Sequence, residues 1–86
     1  MPHARRVTVL YFAAVRDAAG HAEERLDLPA SVRTIRDFAA FLEASHPALA
    51  GRLGSVRYAI NEAFAEEGAE LSPGDVVAVI PPVSGG

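Results

Sequence analysis

Two stretches near opposite ends of the chain, "RRVTVLYF" at residues 5–12 and "DVVAVI" at residues 75–80, are largely apolar on both of the faces that a strand presents. In the first, Arg6, Thr8, Leu10 and Phe12 fall on one side, and Val7, Val9 and Tyr11 on the other. A strand with one wet face alternates apolar with polar residues. A strand that is apolar on both sides belongs at the centre of a sheet. Both segments are rich in β-branched residues, which suit a pleated surface. With both strands central in one small sheet, the first and last can pair in parallel.

The segments between them supply the rest of the fold. Ala13 to Ala19 suits a short helical turn, which Gly20 is placed to end in a left-handed conformation. Residues 21–28, "HAEERLDL", alternate toward their end and predict a second strand, at an edge or with one wet face. The main helix is expected after Pro29, with Ser31 as N-cap. Its apolar stripe is Val32, Ile35, Ala39 and Leu42, widened by Phe38 and Phe41. Arg33, Arg36, Asp37 and Glu43 form its polar face, and Pro47 closes it by disfavouring a helical His46. Ala48 to Gly54 reads as a connection with room for a short turn. Residues 56–61 predict a third strand. "EAFAEEGAEL" reads as a turn followed by a short strand near 69–71. "SPG" at 72–74 fits a type II turn. The order is strand, strand, helix, strand, short strand, strand, an α+β arrangement with one main helix across one face of a small mixed sheet.

Composition limits what such a domain does. The chain has 86 residues, enough for one domain, and half of them are hydrophobic. We assign residues 1–80 to the folded body and 81–86 to an extended C-terminal tail of the same domain. A net charge of −3 argues against nucleic acid or an anionic membrane as partner. No stretch approaches the ~20 apolar residues of a membrane span, and the N-terminus lacks the apolar run of a signal peptide. The expected location is the cytoplasm. The chain has no cysteine, which excludes disulfides, thiolate metal sites and a cysteine nucleophile. It also has no lysine, so all eight basic residues are arginine, and Schiff-base chemistry is absent.

The remaining candidates for chemistry are few. His3, His21 and His46 are scattered and show no metal-ligand spacing, so they read as solvated and no metal is expected. Glu66, Glu67 and Glu70 do not alternate around a turn as a cation loop requires. Neither a phosphate cradle nor a nucleophile elbow is present. Arg16 is either a surface arginine or a contact for an acidic partner, since arginine suits bidentate pairing. The chain does not look able to catalyse alone.

The ending "PPVSGG" is different. Pro81 and Pro82 carry no N–H and stop strand pairing. Their fixed φ favours an extended path leading away from the sheet. Gly85 and Gly86 have no side chains, so the tail can enter a narrow channel. The tail is either a frayed end or a slender arm that presents the Gly86 carboxylate.

"VLYFAAVRDAAG", "INEAF" and "SPGDVVAVIPPVSGG" resemble the small, sulfur-carrying subunits of molybdopterin synthase, the MoaD family, over nearly the whole chain. The resemblance implies a ubiquitin-like β-grasp fold and no bound cofactor. It implies that an adenylyltransferase akin to ubiquitin-activating enzymes uses ATP to adenylate Gly86. A sulfur donor then yields a thiocarboxylate, carried covalently. The larger synthase subunit, in a heterotetramer of two small and two large chains, receives the arm and passes sulfur to cyclic pyranopterin monophosphate. Carried over residue by residue, Gly86 holds the sulfur and Gly85 gives the slender approach. Ser84, Val83, Pro82 and Pro81 form the arm, and Ile80 is a partner contact at its root. Arg16 matches a basic family position. The sheet face opposite the helix is the expected docking surface. Two alternatives are a protein modifier or dual-role carrier of the archaeal small-modifier type, and the sulfur carrier of thiamin thiazole synthesis.

Overall fold

The computed structural model describes residues 5–82. Strand β1 (Arg5–Tyr11) leads through α1 (Ala13–Ala19) to β2 (Glu23–Leu28). Helix α2 (Ile35–Ser45) and a 3₁₀ turn at Pro47–Leu49 follow, and then β3 (Arg57–Ile60), β4 (Ala63–Ala65) and β5 (Val76–Ile80). The five strands form one sheet in the order β2-β1-β5-β3-β4. The two doubly apolar strands are its interior: β1 and β5 pair in parallel, with Leu10 opposite Ala78 and Tyr11 opposite Val79. All other pairings are antiparallel.

The alternation in β1 divides the molecule into an inner and an outer face. Val7, Val9 and Tyr11 are buried, as are Val77 and Val79 on β5 and Tyr58 on β3. They pack in one cluster with Ile35, Phe38 and Leu42 of α2, Leu49 and Leu53 of the following connection, and Val15 of α1. Phe38 is fully buried, and its ring meets Tyr58 edge to face at 6.3 Å between centroids. Each such side chain contributes roughly 1.5–3 kcal/mol on full burial, so this single layer dominates the stability of so short a chain. Gly20 ends α1 with φ of 82°, and its N–H reaches the Arg16 carbonyl, as the sequence predicts. Gly74 adopts φ of 88°, and Asp75 N–H bonds the Ser72 carbonyl at 3.1 Å, which fits the turn expected at "SPG".

Three local expectations need correction. Helix α2 begins later than Pro29 suggests, and its N-cap is Thr34, not Ser31. Thr34 Oγ1 accepts from Asp37 N–H, while the Asp37 carboxylate accepts from Arg33 and Thr34 N–H groups at 3.0 and 3.2 Å. The loop at 67–71 competes for the backbone just ahead of the helix. Ile35 and Arg36 N–H groups bond the Ala69 and Glu67 carbonyls, and Leu71 N–H bonds the Arg33 carbonyl. Val32 is buried, but it lies outside the helix. The short strand is Ala63–Ala65 rather than 69–71, where Glu70 makes only a single bridge to Thr34. The hairpin from β3 to β4 turns on Asn61 and Glu62, both at positive φ (51° and 74°), as a two-residue type I′ connection requires.

The third correction concerns His46. It is not freely solvated: its Nε2 lies 2.8 Å from Glu24 Oε1, and its ring stands edge-on to Tyr11 at 6.1 Å. The Tyr11 hydroxyl donates to the same Glu24 oxygen at 2.8 Å. Glu24 on the edge strand thus ties the C-terminal end of α2 to the centre of the sheet.

Candidate functional site

On the outer face, the residues that alternate with the core line up across four strands. Leu10 of β1 lies beside Ala78 of β5, Ala78 beside Ala59 of β3, and Ala59 beside Phe64 of β4. Small side chains in the middle of this row and large ones at its ends make a shallow trough. With Phe12, Val76 and Ile80 they line a groove of about 600 Å³. Phe12 is 45% exposed and Phe64 is 66% exposed, the large apolar side chains among the described residues that burial leaves aside. Contiguous exposed apolar surface of this kind marks an interaction site. The β2 side of the same face is polar. Arg6 pairs with Asp27 at 2.9 Å, and Glu23 and Arg25 follow on the outward positions. That pairing holds the exposed Asp27 carboxyl below the usual carboxylate range.

Backbone placement explains why the two phenylalanines stand out. Ala13 takes φ of 52° and turns the chain sharply out of β1, leaving Phe12 at the strand's end instead of continuing the sheet. Asn61 fixes the other side. Its side chain accepts from Val76 N–H at 2.9 Å and donates to Asp75 at 3.0 Å, while its own N–H bonds the Val76 carbonyl. The hairpin that carries Phe64 is thereby pinned to the start of β5.

Strand β5 reaches one corner of this groove, where the predicted arm begins. β5 ends at Ile80, which lines the groove, and pairing stops at the two prolines. Pro81 is half-buried and Pro82 is exposed. Val83, Ser84, Gly85 and Gly86 lie outside the described residues. Arg16 is exposed on α1, which packs against β5, but it lines a separate small hollow with Asp17, Gly20 and His21. Ile80, Pro81 and Pro82 are therefore brought together, whereas Arg16 is on α1, away from the groove lining. The face and Ile80 were expected from the sequence, whereas Phe12 and Phe64 were not. Phe12 carried a signal, since it shares the alternation of Leu10. Phe64 was hidden by the misplaced short strand. Among the described residues, no group of three or more His, Cys, Asp or Glu side chains is arranged to hold a metal ion.

A five-stranded mixed sheet with parallel central strands, one long helix across its inner face and an exit for a proline-led arm defines a ubiquitin-like β-grasp protein. Comparison with known proteins agrees. The crystal structure of SAMP1 from Haloferax volcanii, a small archaeal modifier protein, superposes with a TM-score of 0.81 at 29% identity, covering 94% of this chain and 99% of the other. The model of the ThiS family matches residues 9–86. The molybdopterin synthase sulfur carrier subunit of Chlamydomonas reinhardtii is 37% identical, over 94% of this chain and 99% of its own length. The human subunit of the same name is 34% identical over 94% of each chain. The chain belongs to the ThiS family and, within it, to the molybdopterin synthase sulfur carrier subunits.

Proposed function

We propose that this protein carries sulfur for molybdenum cofactor synthesis as a thiocarboxylate on Gly86. The observation that carries the reading is near full-length similarity to sulfur carrier subunits at 34% and 37% identity. An apolar docking face adjoining the root of a Pro-Pro-Val-Ser-Gly-Gly ending supports it. In the proposed cycle a carboxylate oxygen of Gly86 attacks the α-phosphate of ATP on an activating adenylyltransferase, and pyrophosphate leaves. The acyl-adenylate supplies the leaving group that a carboxylate lacks. Sulfide-level sulfur from a donor attacks the Gly86 carbonyl carbon, the C–O bond to the adenylate breaks, and AMP leaves with its electron pair, so that the thiocarboxylate results. The chain itself binds no cofactor in this scheme.

Docking on the larger synthase subunit uses the groove lined by Phe12, Phe64 and Ile80, so that Pro81, Pro82, Val83 and Ser84 run as a short arm. Gly85 lets that arm approach the partner's reacting centre. There sulfur passes to the pterin precursor to build the dithiolene of molybdopterin. Two sulfurs per product mean two loaded carriers, which matches a heterotetramer of two small and two large subunits. Arg16, exposed on α1, is a secondary contact for an acidic surface. The work belongs in the cytoplasm, where ATP is available to the activating enzyme; no helix among the described residues is long and apolar enough to cross a membrane.

The likeness to SAMP1 favours one second reading, attachment of Gly86 to other proteins as a modifier. A reconstituted assay separates the two. The loaded chain, the larger subunit and cyclic pyranopterin monophosphate should yield molybdopterin, and a chain lacking Gly86 should fold and yield none. Product from the chain without Gly86 would refute the carrier assignment. Isopeptide-linked adducts with no molybdopterin would establish the modifier reading instead.

A further inference from the structure

Arg57 occupies an unusual position among the arginines. It stands directly opposite Ile80 in the β3–β5 ladder, and so beside the root of the arm. Its guanidinium carbon lies 4.6 Å from the centroid of the Phe64 ring, the most exposed apolar side chain of the docking groove. Three other arginines are already engaged, Arg6 with Asp27, Arg36 with Glu67, and Arg5 with the Pro29 and Val32 carbonyls; what sets Arg57 apart from the remaining four is its place beside Ile80 and over Phe64. Among the described residues, Arg57 makes no ion pair and its side chain no hydrogen bond.

Stacking on a ring uses the face of the guanidinium and leaves its N–H groups, which lie in the plane, free to donate. The contact with Phe64 also holds the fork in one place, so less freedom is lost when a planar anion arrives. We propose that Arg57 is the specificity-determining cation of the docking face, taking a carboxylate that the partner protein presents at the rim of its own apolar surface, beside the arm's entry. The inference rests on the carrier reading and adds to it the charge that the partner must bring.

The anion is a protein carboxylate rather than a nucleotide phosphate because of reach. Arg57 lies at the level of Ile80, and the six residues beyond it span up to ~20 Å when extended. When the arm is extended into a partner's channel, a phosphate bonded at Gly86 is therefore out of its range. The chain is acidic overall, with net charge −3, so it repels acidic surfaces in general. Arg57 adjoins the groove through Phe64 and Ile80, and it inverts that preference at one point and thereby fixes orientation. Rim charges of this kind set specificity and salt dependence more than total affinity.

The test is calorimetric titration of the full chain into the larger synthase subunit at low and at physiological salt. Arg57→Met, which keeps an apolar stem over Phe64, should weaken binding about tenfold at low salt and flatten its salt dependence. Arg57→Glu should weaken it further, by about 100-fold. Arg25, an exposed arginine on the β2 side of the same face, is the control. Arg25→Glu should change binding less than about threefold. Equal binding by Arg57→Glu and the unaltered chain would overturn the assignment while leaving the carrier reading intact. Equal weakening by Arg25→Glu would overturn it as well, since charge alone would then explain the effect. If the unaltered chain fails to bind the larger subunit, the carrier reading falls and this proposal with it.

Discussion

Tyr58 is the one buried side chain among the described residues whose polar atom finds no hydrogen-bond partner. Its ring earns its place against Phe38, but its hydroxyl is desolvated without compensation. Burial, reinforced by Glu43 and Glu67, pushes its ionisation up to about 12. Tyr11 is raised as well, first by burial and then by the hydrogen bond to Glu24. Both phenols stay neutral in the folded protein to higher pH than in the unfolded chain. Their contribution is therefore complete below pH ~10 and is lost as pH rises toward ~12. The absence of lysine makes this legible, because the arginines stay charged across that interval and no side-chain amine titrates beside the tyrosines. Urea midpoints should fall steadily above pH ~10, with tyrosinate absorbance appearing only as the protein unfolds. Tyr58→Phe removes the unsatisfied hydroxyl. It should raise stability at neutral pH by about 1 kcal/mol and shrink the alkaline loss. A destabilised Tyr58→Phe would mean that the hydroxyl has a partner after all.

At the scale of elements, the strands were the most legible part. Period-two alternation placed β1 and β5 centrally and left β2 at an edge or with one wet face, because those patterns report burial on each face. The start of α2 was less legible. Ser31 and Thr34 are both competent caps; the reciprocal bonds between Thr34 and Asp37 and the tertiary bonds from residues 67–71 to residues 33–36 together select Thr34. β4 was missed because a three-residue strand has too few positions to show a period, and its turn uses Asn61 and Glu62 in place of a glycine. Substitution separates the two caps. Thr34→Ala should cost about 1 kcal/mol, and Ser31→Ala should stay within about 0.5 kcal/mol of the parent, both read from denaturant midpoints. The reverse order would restore the earlier helix start.

For the whole molecule, the described residues form a platform with one apolar outer face, and the strand that crosses its centre ends at Ile80, beside that face. That face was legible only as an expectation. The sequence shows which residues alternate outward, but not that Leu10, Ala78, Ala59 and Phe64 fall in one row, since register between distant strands is set by the whole sheet. The end of β5 at the two prolines was legible from chemistry, because neither carries an N–H; the rest of the expected arm, Val83 to Gly86, lies outside the described residues. The account's central claim concerns Gly86, and intact-mass measurement tests it most directly. After incubation with the activating enzyme, ATP and a sulfur donor, the chain should gain the mass difference between one sulfur and one oxygen, and a C-terminal peptide should carry it. An unchanged mass under conditions that load an established carrier, or a gain located anywhere but Gly86, would contradict the account.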